Sequence, residues 1–463
     1  MARPTLELSV AVRLGYGDGV SQKIRTSQVF VPGKLPVHTY IPRDEFYLEQ
    51  SLNDYVEEGG AILTLAGPTK TGKTVLLRKV LEDPVWIDGQ GLTSATDMWA
   101  RVSDELSLYL VEELSDDASS SAATEGSLEG GMPFLRARAV TTNGGSTTTG
   151  SRVVAERLAA TAARDARAAS GRPLVIDDFH FIDRSTQRQI VRALKPLVLA
   201  GVPIVFVSIS HRVREVVSAE PDMTGRVNTL LVQFWTDEDL IEIARRGFVK
   251  LRVVDPGDAL ARSLAKQAYG SPHLMQQFCR ELCKYNGIRE EADELVELNA
   301  PDDWKPFFEV QVEEASANWA TRLIRGLKER GSTRTKYRTK NGLELDGYGL
   351  TLAAVAATGP KLGVSKDEIR AAIASMVVDS PPANNQTTSV LKNMSRIAAL
   401  RLSEDLPSEE ELEHTGADVD VQPVLDFMED GPASSLHIAD PFFAFYLAWG
   451  LNRQLEDVGR LKD

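Results

Sequence analysis

Short apolar runs recur through the first half of the chain, and most are followed by a stretch whose apolar residues fall three and four apart. Residues 61–66 (Ala-Ile-Leu-Thr-Leu-Ala), 84–88, 173–179 and 203–210 read as strands, with a fifth at 229–234. They are near-continuous in apolar residues, which marks strands buried on both faces. Helical patterns occupy 44–57, 75–81, a segment running to Leu114, and 185–199. Strands alternating with helices predict an α/β class, with a parallel sheet between two helical layers.

The remainder is patterned differently. Leu6, Leu8, Val10, Val12 and Leu14 alternate with polar residues and break at Gly15-Tyr16-Gly17-Asp18-Gly19, predicting a β-hairpin within residues 1–37. Residues 115–151 are rich in Ser, Gly and Thr and poor in large apolar side chains, so they read as a flexible insertion. From 236 to about 319 the pattern is helical. Three further helices are expected at 351–358, 365–376 and 386–400, with Ser365 and Glu368 forming a capping box. Residues 398–402 and 435–439 then pair as wing strands around a loop containing Glu409, Glu410, Glu411 and Glu413. Asp440-Pro441-Phe442-Phe443, with Tyr446 and Trp449, closes the pattern as an aromatic helix whose simplest role is core.

The chemistry concentrates between the first strand and its helix. Gly67-Pro68-Thr69-Lys70-Thr71-Gly72-Lys73-Thr74 fits G-x-x-x-x-G-K-[ST] without a mismatch, and Val75 continues into the helix. Glycines let successive backbone N–H groups face one concavity, and the helix N-terminus adds its positive end. In such a loop Lys73 reaches the β- and γ-phosphates and the Thr74 hydroxyl binds Mg²⁺, so ATP or ADP with Mg²⁺ is the expected ligand. The strand Leu174-Val175-Ile176 ends in Asp177-Asp178. Asp177 is placed to hold the hydrated Mg²⁺, and Asp178 to orient or deprotonate the attacking water.

Composition narrows the reading. The 463 residues suit two or three domains, and 43% apolar with 25% charged residues is ordinary for a globular chain. A formal net charge of −14 leaves nucleic-acid contact to a local basic patch. One such patch exists: Arg322, Arg325, Lys328, Arg330, Arg334, Lys336, Arg338 and Lys340 stand against a single acid, Glu329. The two cysteines, Cys279 and Cys283, lie four apart with no second ligand pair and read as buried thiols. No apolar run is long enough to span a membrane, and no signal-peptide pattern opens the sequence, so a cytoplasmic setting is expected.

On these motifs the chain resembles the AAA+/STAND branch of P-loop ATPases, the group of NACHT-type switches and origin-initiator-like ATPases, over about residues 38–290. Ile41-Pro42-Arg43 resembles the segment that wraps the adenine. Ser210 and Arg212 resemble the sensor-1 strand end, and Arg226 resembles the arginine that reads the γ-phosphate of a neighbouring subunit. Gly270-Ser271-Pro272-His273 resembles the motif of the helical lid whose proline sits near the nucleotide. Ser271 and Pro272 are equally a good helix start, and Arg212 and Arg226 could be surface arginines. Asp-Asp replaces the Asp-Glu of vigorous motors, which implies slow turnover.

The resemblance implies an N-terminal extension (1–37), an ATPase domain (38–235), a helical lid (236–320), a basic connector (321–344) and a winged-helix-like domain (345–463). It implies an ATP-dependent switch that forms a homo-oligomer and engages a protein partner through the C-terminal domain. Two other readings stay open at this point. One is a DNA-associated initiator or transposition regulator using the basic run for DNA or RNA. The other is a nucleotide-bound scaffold without turnover.

Overall fold

A computed structural model describes residues 23–106, 163–165, 167–168, 170–209, 223, 225–328, 333–400, 405–408 and 423–459. The insertion expected at 115–151, the alternating stretch before Lys23, Ser210 with Arg212, and Glu409–Glu413 lie outside the described residues.

Residues 23–40 form one short helix, α1 (Thr26–Val29), and then loops, so this part of the expected hairpin is absent. The reason is its partner. Val29 and Phe30 are fully buried against the lid, Phe30 meets Phe248 edge-on at 5.7 Å, and the Thr26 N–H donates to the Arg289 carbonyl. Next come α2 (Leu48–Glu58), β1 (Ile62–Ala66), α3 (Lys73–Val80), β2 (Val85–Asp88) and α4 (Ala95–Glu105). Then follow β3 (Leu174–Asp177), α5 (Arg184–Leu199), β4 (Ile204–Ser208) and β5 (Val227–Leu231). The five strands are parallel where they pair and lie in the order β2-β3-β4-β1-β5.

Alternate side chains of these strands feed two separate cores. Ile62, Ile87, Leu174, Ile176, Ile204 and Phe206 pack against α4 and α5 on one face. Leu63, Leu65, Val175, Val205 and Val207 pack against α2 and α3 on the other. This is the expected three-layer α/β/α domain. The fifth strand starts two residues earlier than its apolar run suggested and is mostly exposed, as an edge strand. Tyr55 ties α2 to the sheet, since its hydroxyl accepts the Ile204 N–H and donates to the Ile204 carbonyl.

The lid is built from α6 (Asp237–Leu251), α7 (Ala259–Gln267), α8 (Pro272–Tyr285) and the short α9 (Trp304–Glu309), with the small parallel pair β6 (Val253–Val254) and β7 (Val296–Glu297). Thr236 and Asp239 close a capping box on α6, and Ser271 caps α8 with Pro272 in its first turn. Cys279 and Cys283 are free and buried in this core, as their spacing suggested.

The expected boundary at residue 320 cuts through α10 (Glu314–Arg325). Trp319, Ala320, Leu323 and Ile324 lie on one helical face and join the C-terminal core, so the helix is assigned there by packing. The basic connector is likewise structured: it runs from α10 into a hairpin of β8 (Lys336–Arg338) and β9 (Glu344–Asp346). Beyond it come α11 (Gly347–Ala357), β10 (Gly363–Ser365), α12 (Lys366–Met376), α13 (Asn384–Ala398), β11 (Leu425–Met428) and β12 (Ser435–Ile438). The strands form one antiparallel sheet in the order β10-β12-β11.

That pairing corrects the expected wing. Residue 398 is still helical, and β12 pairs with 425–428 and 363–365 instead. The acidic run therefore lies between α13 and β11, not between two paired strands. The chain ends in α14 (Pro441–Trp449) and α15 (Leu451–Gly459). No helix among the described residues is long and apolar enough to cross a membrane.

Gly247 on α6 leaves no room for a side chain: a Cβ there would stand 2.2 Å from the Phe30 ring. Gly247→Ala is expected to lift residues 26–31 from the lid and cost about 1–3 kcal/mol in denaturant unfolding. In a Phe30→Ala background the same substitution should cost almost nothing further.

Candidate functional site: a phosphate loop beneath the lid

The loop after β1 is held open by two close approaches. A Cβ on Gly67 would lie 2.2 Å from the Val232 carbonyl, so only glycine lets the loop pass β5. Gly72 (φ 93°) and Lys70 (φ 61°) take left-handed conformations. The backbone N–H groups of residues 70–74 find no acceptor among the described residues. A row of unused donors at the start of α3 is the arrangement that accepts an anion. The residues present thus fit a phosphate group.

Lys73 folds back into its own loop, its Nζ donating to the carbonyls of Gly67 (2.9 Å) and Pro68 (2.7 Å). Burial pushes its pKa down to about 8, against the pull of Asp178 and Asp177. The Thr74 hydroxyl donates to Asp177 Oδ2 at 3.2 Å, spanning from the first turn of α3 to the end of β3. Asp177 is raised above the usual carboxylate range by burial, although the Asp178 N–H, Thr74 and Lys73 stabilise its charge. Asp178 follows in a left-handed conformation (φ 51°). Burial, then Asp177 and Asp88, push it up to about 6. A hydroxyl and a carboxylate at this separation suit Mg²⁺, which takes few protein ligands and shares phosphate oxygens.

One cleft of about 490 Å³ gathers most of the sequence-predicted residues: Ile41, Arg43, Thr69–Val75, Asp177, Asp178, Pro272 and His273. The lid enters it through α8, whose His273 is held neutral by burial, with its pKa lowered to about 4. Gly67 and Pro68 build the loop without lining the cleft, and Pro42 does not line it either. Arg43 is committed elsewhere. Its guanidinium donates to the carbonyls of Gln233 (2.8 Å) and Phe234 (3.1 Å) and lies over the Phe46 ring. It fastens the approach segment to the strand-to-lid hinge, a role its motif did not announce.

Arg226 is not brought into this cleft. The Ile62 N–H donates to its carbonyl, which places it beside the start of β1, whereas the phosphate loop leaves the end of that strand. The separation along the strand is roughly 15 Å, and the side chain is exposed.

Three participants escaped the sequence reading. Asp88 pairs in register with Asp177 and adds a third carboxylate. The Trp235 indole N–H donates to the Thr71 carbonyl, pinning the loop to the hinge. Residues 31–36 and 39–40 cap the far side of the cleft. Only Asp88 left a signal, since it ends the strand pattern Val85-Trp86-Ile87 as Asp177 ends its own.

No protein-family model and no curated protein matches the chain. Among solved structures it is similar to Cdc6p from Pyrobaculum aerophilum at 14% identity, covering 95% of this chain and 100% of that one, with a TM-score of 0.40. The Walker-type ATPase PABY2304 of Pyrococcus abyssi aligns at 14% identity, over 91% and 99% of the two chains, with a TM-score of 0.46. The ORC2 protein of Aeropyrum pernix aligns at 12% identity, over 94% and 99%, with a TM-score of 0.43. The fold assignment rests on the molecule itself. Strand order β2-β3-β4-β1-β5, a phosphate loop after β1 and aspartates at the end of β3 give this chain the three-layer α/β/α fold of a P-loop protein.

Proposed function

We propose that the protein is a slow ATPase working as a nucleotide-dependent switch. The contact of Thr74 with Asp177, beside Lys73 and beneath the lid, carries this reading. Mg²⁺, when bound, would supply charge neutralisation to the phosphates. Lys73 exchanges the carbonyls of Gly67 and Pro68 for phosphate oxygens, and the N–H groups of residues 70–74 hold the β-phosphate. Asp178 accepts a proton from water on the phosphate side. His273 and Pro272 bring the lid to the nucleotide, so that lid position depends on what the cleft holds. Arg226, too far for its own site, reads the γ-phosphate of a second copy in an oligomer.

The C-terminal order of helix, strand, two helices and two strands supports a winged-helix reading, and hence a docking module for a protein partner. The basic run supports a nucleic-acid reading less well. Arg334 pairs with Asp346 at 2.8 Å, Arg338 pairs with Asp379 and Arg322 is buried. Among its described residues Arg325, Lys328, Lys336 and Lys340 are exposed, as is Arg338 despite its surface pair with Asp379.

Lys73→Ala is expected to abolish nucleotide binding measured by titration calorimetry. Asp178→Asn should keep binding and lower phosphate release about 10²- to 10⁴-fold; equal turnover would remove Asp178 as the base, and a wild type that binds ATP without releasing phosphate would leave only the scaffold reading. Binding to single- or double-stranded DNA that is steeply salt-dependent and requires ATP would favour the nucleic-acid reading over partner docking.

Asp178 also sets a pH dependence. Its folded pKa of about 6 lies above the 3.8 usual for an aspartate, so between the two the native state holds a proton that the unfolded chain has lost. Stability therefore falls as pH rises through that window, by about 1–2 kcal/mol once partial solvent access is discounted. Urea unfolding of the nucleotide-free protein between pH 4 and 7 should show this slope, and Asp178→Asn should flatten it.

A further inference from the structure

Lys70 has two ends that face different parts of the molecule. Its backbone lies in the phosphate loop with φ 61°, and its N–H has no acceptor among the described residues. Its side chain turns to the C-terminal helices. There the ammonium nitrogen stands 3.4 Å from the centroid of the Phe442 ring, and 3.8 Å from carboxylate oxygens of Asp440 and of Glu313.

These partners are preset. Asp440 caps α14, its Oδ1 accepting the Phe442 N–H at 2.9 Å, so one cap orients both the carboxylate and the ring. The Phe442 ring also meets His273 of the lid edge-on at 5.1 Å. A lone exposed ion pair would contribute little. Here an aromatic face and two acids converge on a side chain that is only about a third exposed.

We propose that Lys70 is a positioning residue that couples phosphate binding to the docking of α14. Its main chain joins the phosphate cradle while its side chain grips Phe442, Asp440 and Glu313. The inference rests on the nucleotide-binding reading above. Phosphate that orders the loop at residue 70 fixes the origin of the side chain, and a docked α14 holds the loop in its binding conformation. Each event then favours the other by the same factor.

The test uses the full chain, with Mg²⁺-ADP and a non-hydrolysable ATP analogue as ligands. Affinity is read by calorimetry, and hydrogen exchange by mass spectrometry over residues 441–449. Wild type is expected to bind and to slow exchange in this helix when nucleotide is added. Phe442→Leu should weaken nucleotide binding about three- to ten-fold and lose that nucleotide-dependent protection. Phe442→Tyr, which keeps the ring face, should retain both.

In a Lys70→Met background, Phe442→Leu should cost nothing further. Asp440→Asn keeps an oxygen for the cap while removing the charge, so it gives the same readout if Phe442→Leu proves unstable. Unchanged affinity in Phe442→Leu and Asp440→Asn, or an undiminished Phe442→Leu loss in the Lys70→Met background, would overturn the coupling and leave nucleotide binding standing. A wild-type chain that binds neither nucleotide would remove both readings.

Discussion

Everything at the nucleotide cleft depends on three charges placed where water is scarce. Lys73, Asp177 and Asp178 sit at the ends of buried parallel strands, and burial pushes the lysine down and both acids up. None is comfortable alone: Lys73 offsets part of the cost of both acids and they of its own, while Asp177 adds to the cost of charging Asp178. Strand order makes this possible. β4 lies between β1 and β3, so the first turn of α3 must cross it to let Thr74 meet Asp177. The close pass of Gly67 over the Val232 carbonyl and the Trp235 hydrogen bond to Thr71 keep the loop at that height. The geometry of the site is thus a property of the whole sheet and its hinge.

The same hinge ties the domains together. Arg43 holds the carbonyls of Gln233 and Phe234, just before the lid begins, and Trp235 holds the phosphate loop from the other side. A lid movement must therefore be felt at both the approach segment and the loop. The short helix at 26–29 adds a third tether, because its chain reaches the lid before it reaches the sheet. Cleft and lid are bonded through backbone carbonyls, whose positions change only when the main chain moves.

Most of the α/β domain was legible because its signals are local. Apolar runs such as 61–66 are strands in any buried setting, and the phosphate-loop spacing carries its own chemistry. What failed to show was decided by partners distant in sequence. Residues 26–30 became a helical tether because Phe248 and Arg289 receive them. β12 found 425–428 and 363–365, a pairing set by sheet closure and invisible in the run at 435–439. Arg43 sits in a recognisable motif, yet its bonds to 233 and 234 follow from where β5 delivers the chain. Arg226 was singled out by resemblance, and only the strand direction reveals that it lies at the opposite end of β1 from the cleft.

Helix α14 is apolar on every side, and its residues are shared between two cores. Phe442 and Phe445 complete the lid cluster, while Phe443, Ala444 and Leu447 belong to the C-terminal cluster. The lid's interior is therefore finished by residues that a ribosome adds long after α8 has emerged. Until that helix arrives, the lid carries an unfilled apolar hollow around Phe278 and Phe308, the rings that Phe445 later meets. The residues of the phosphate loop are made early, whereas the rings that close the core of the roof above it are made last.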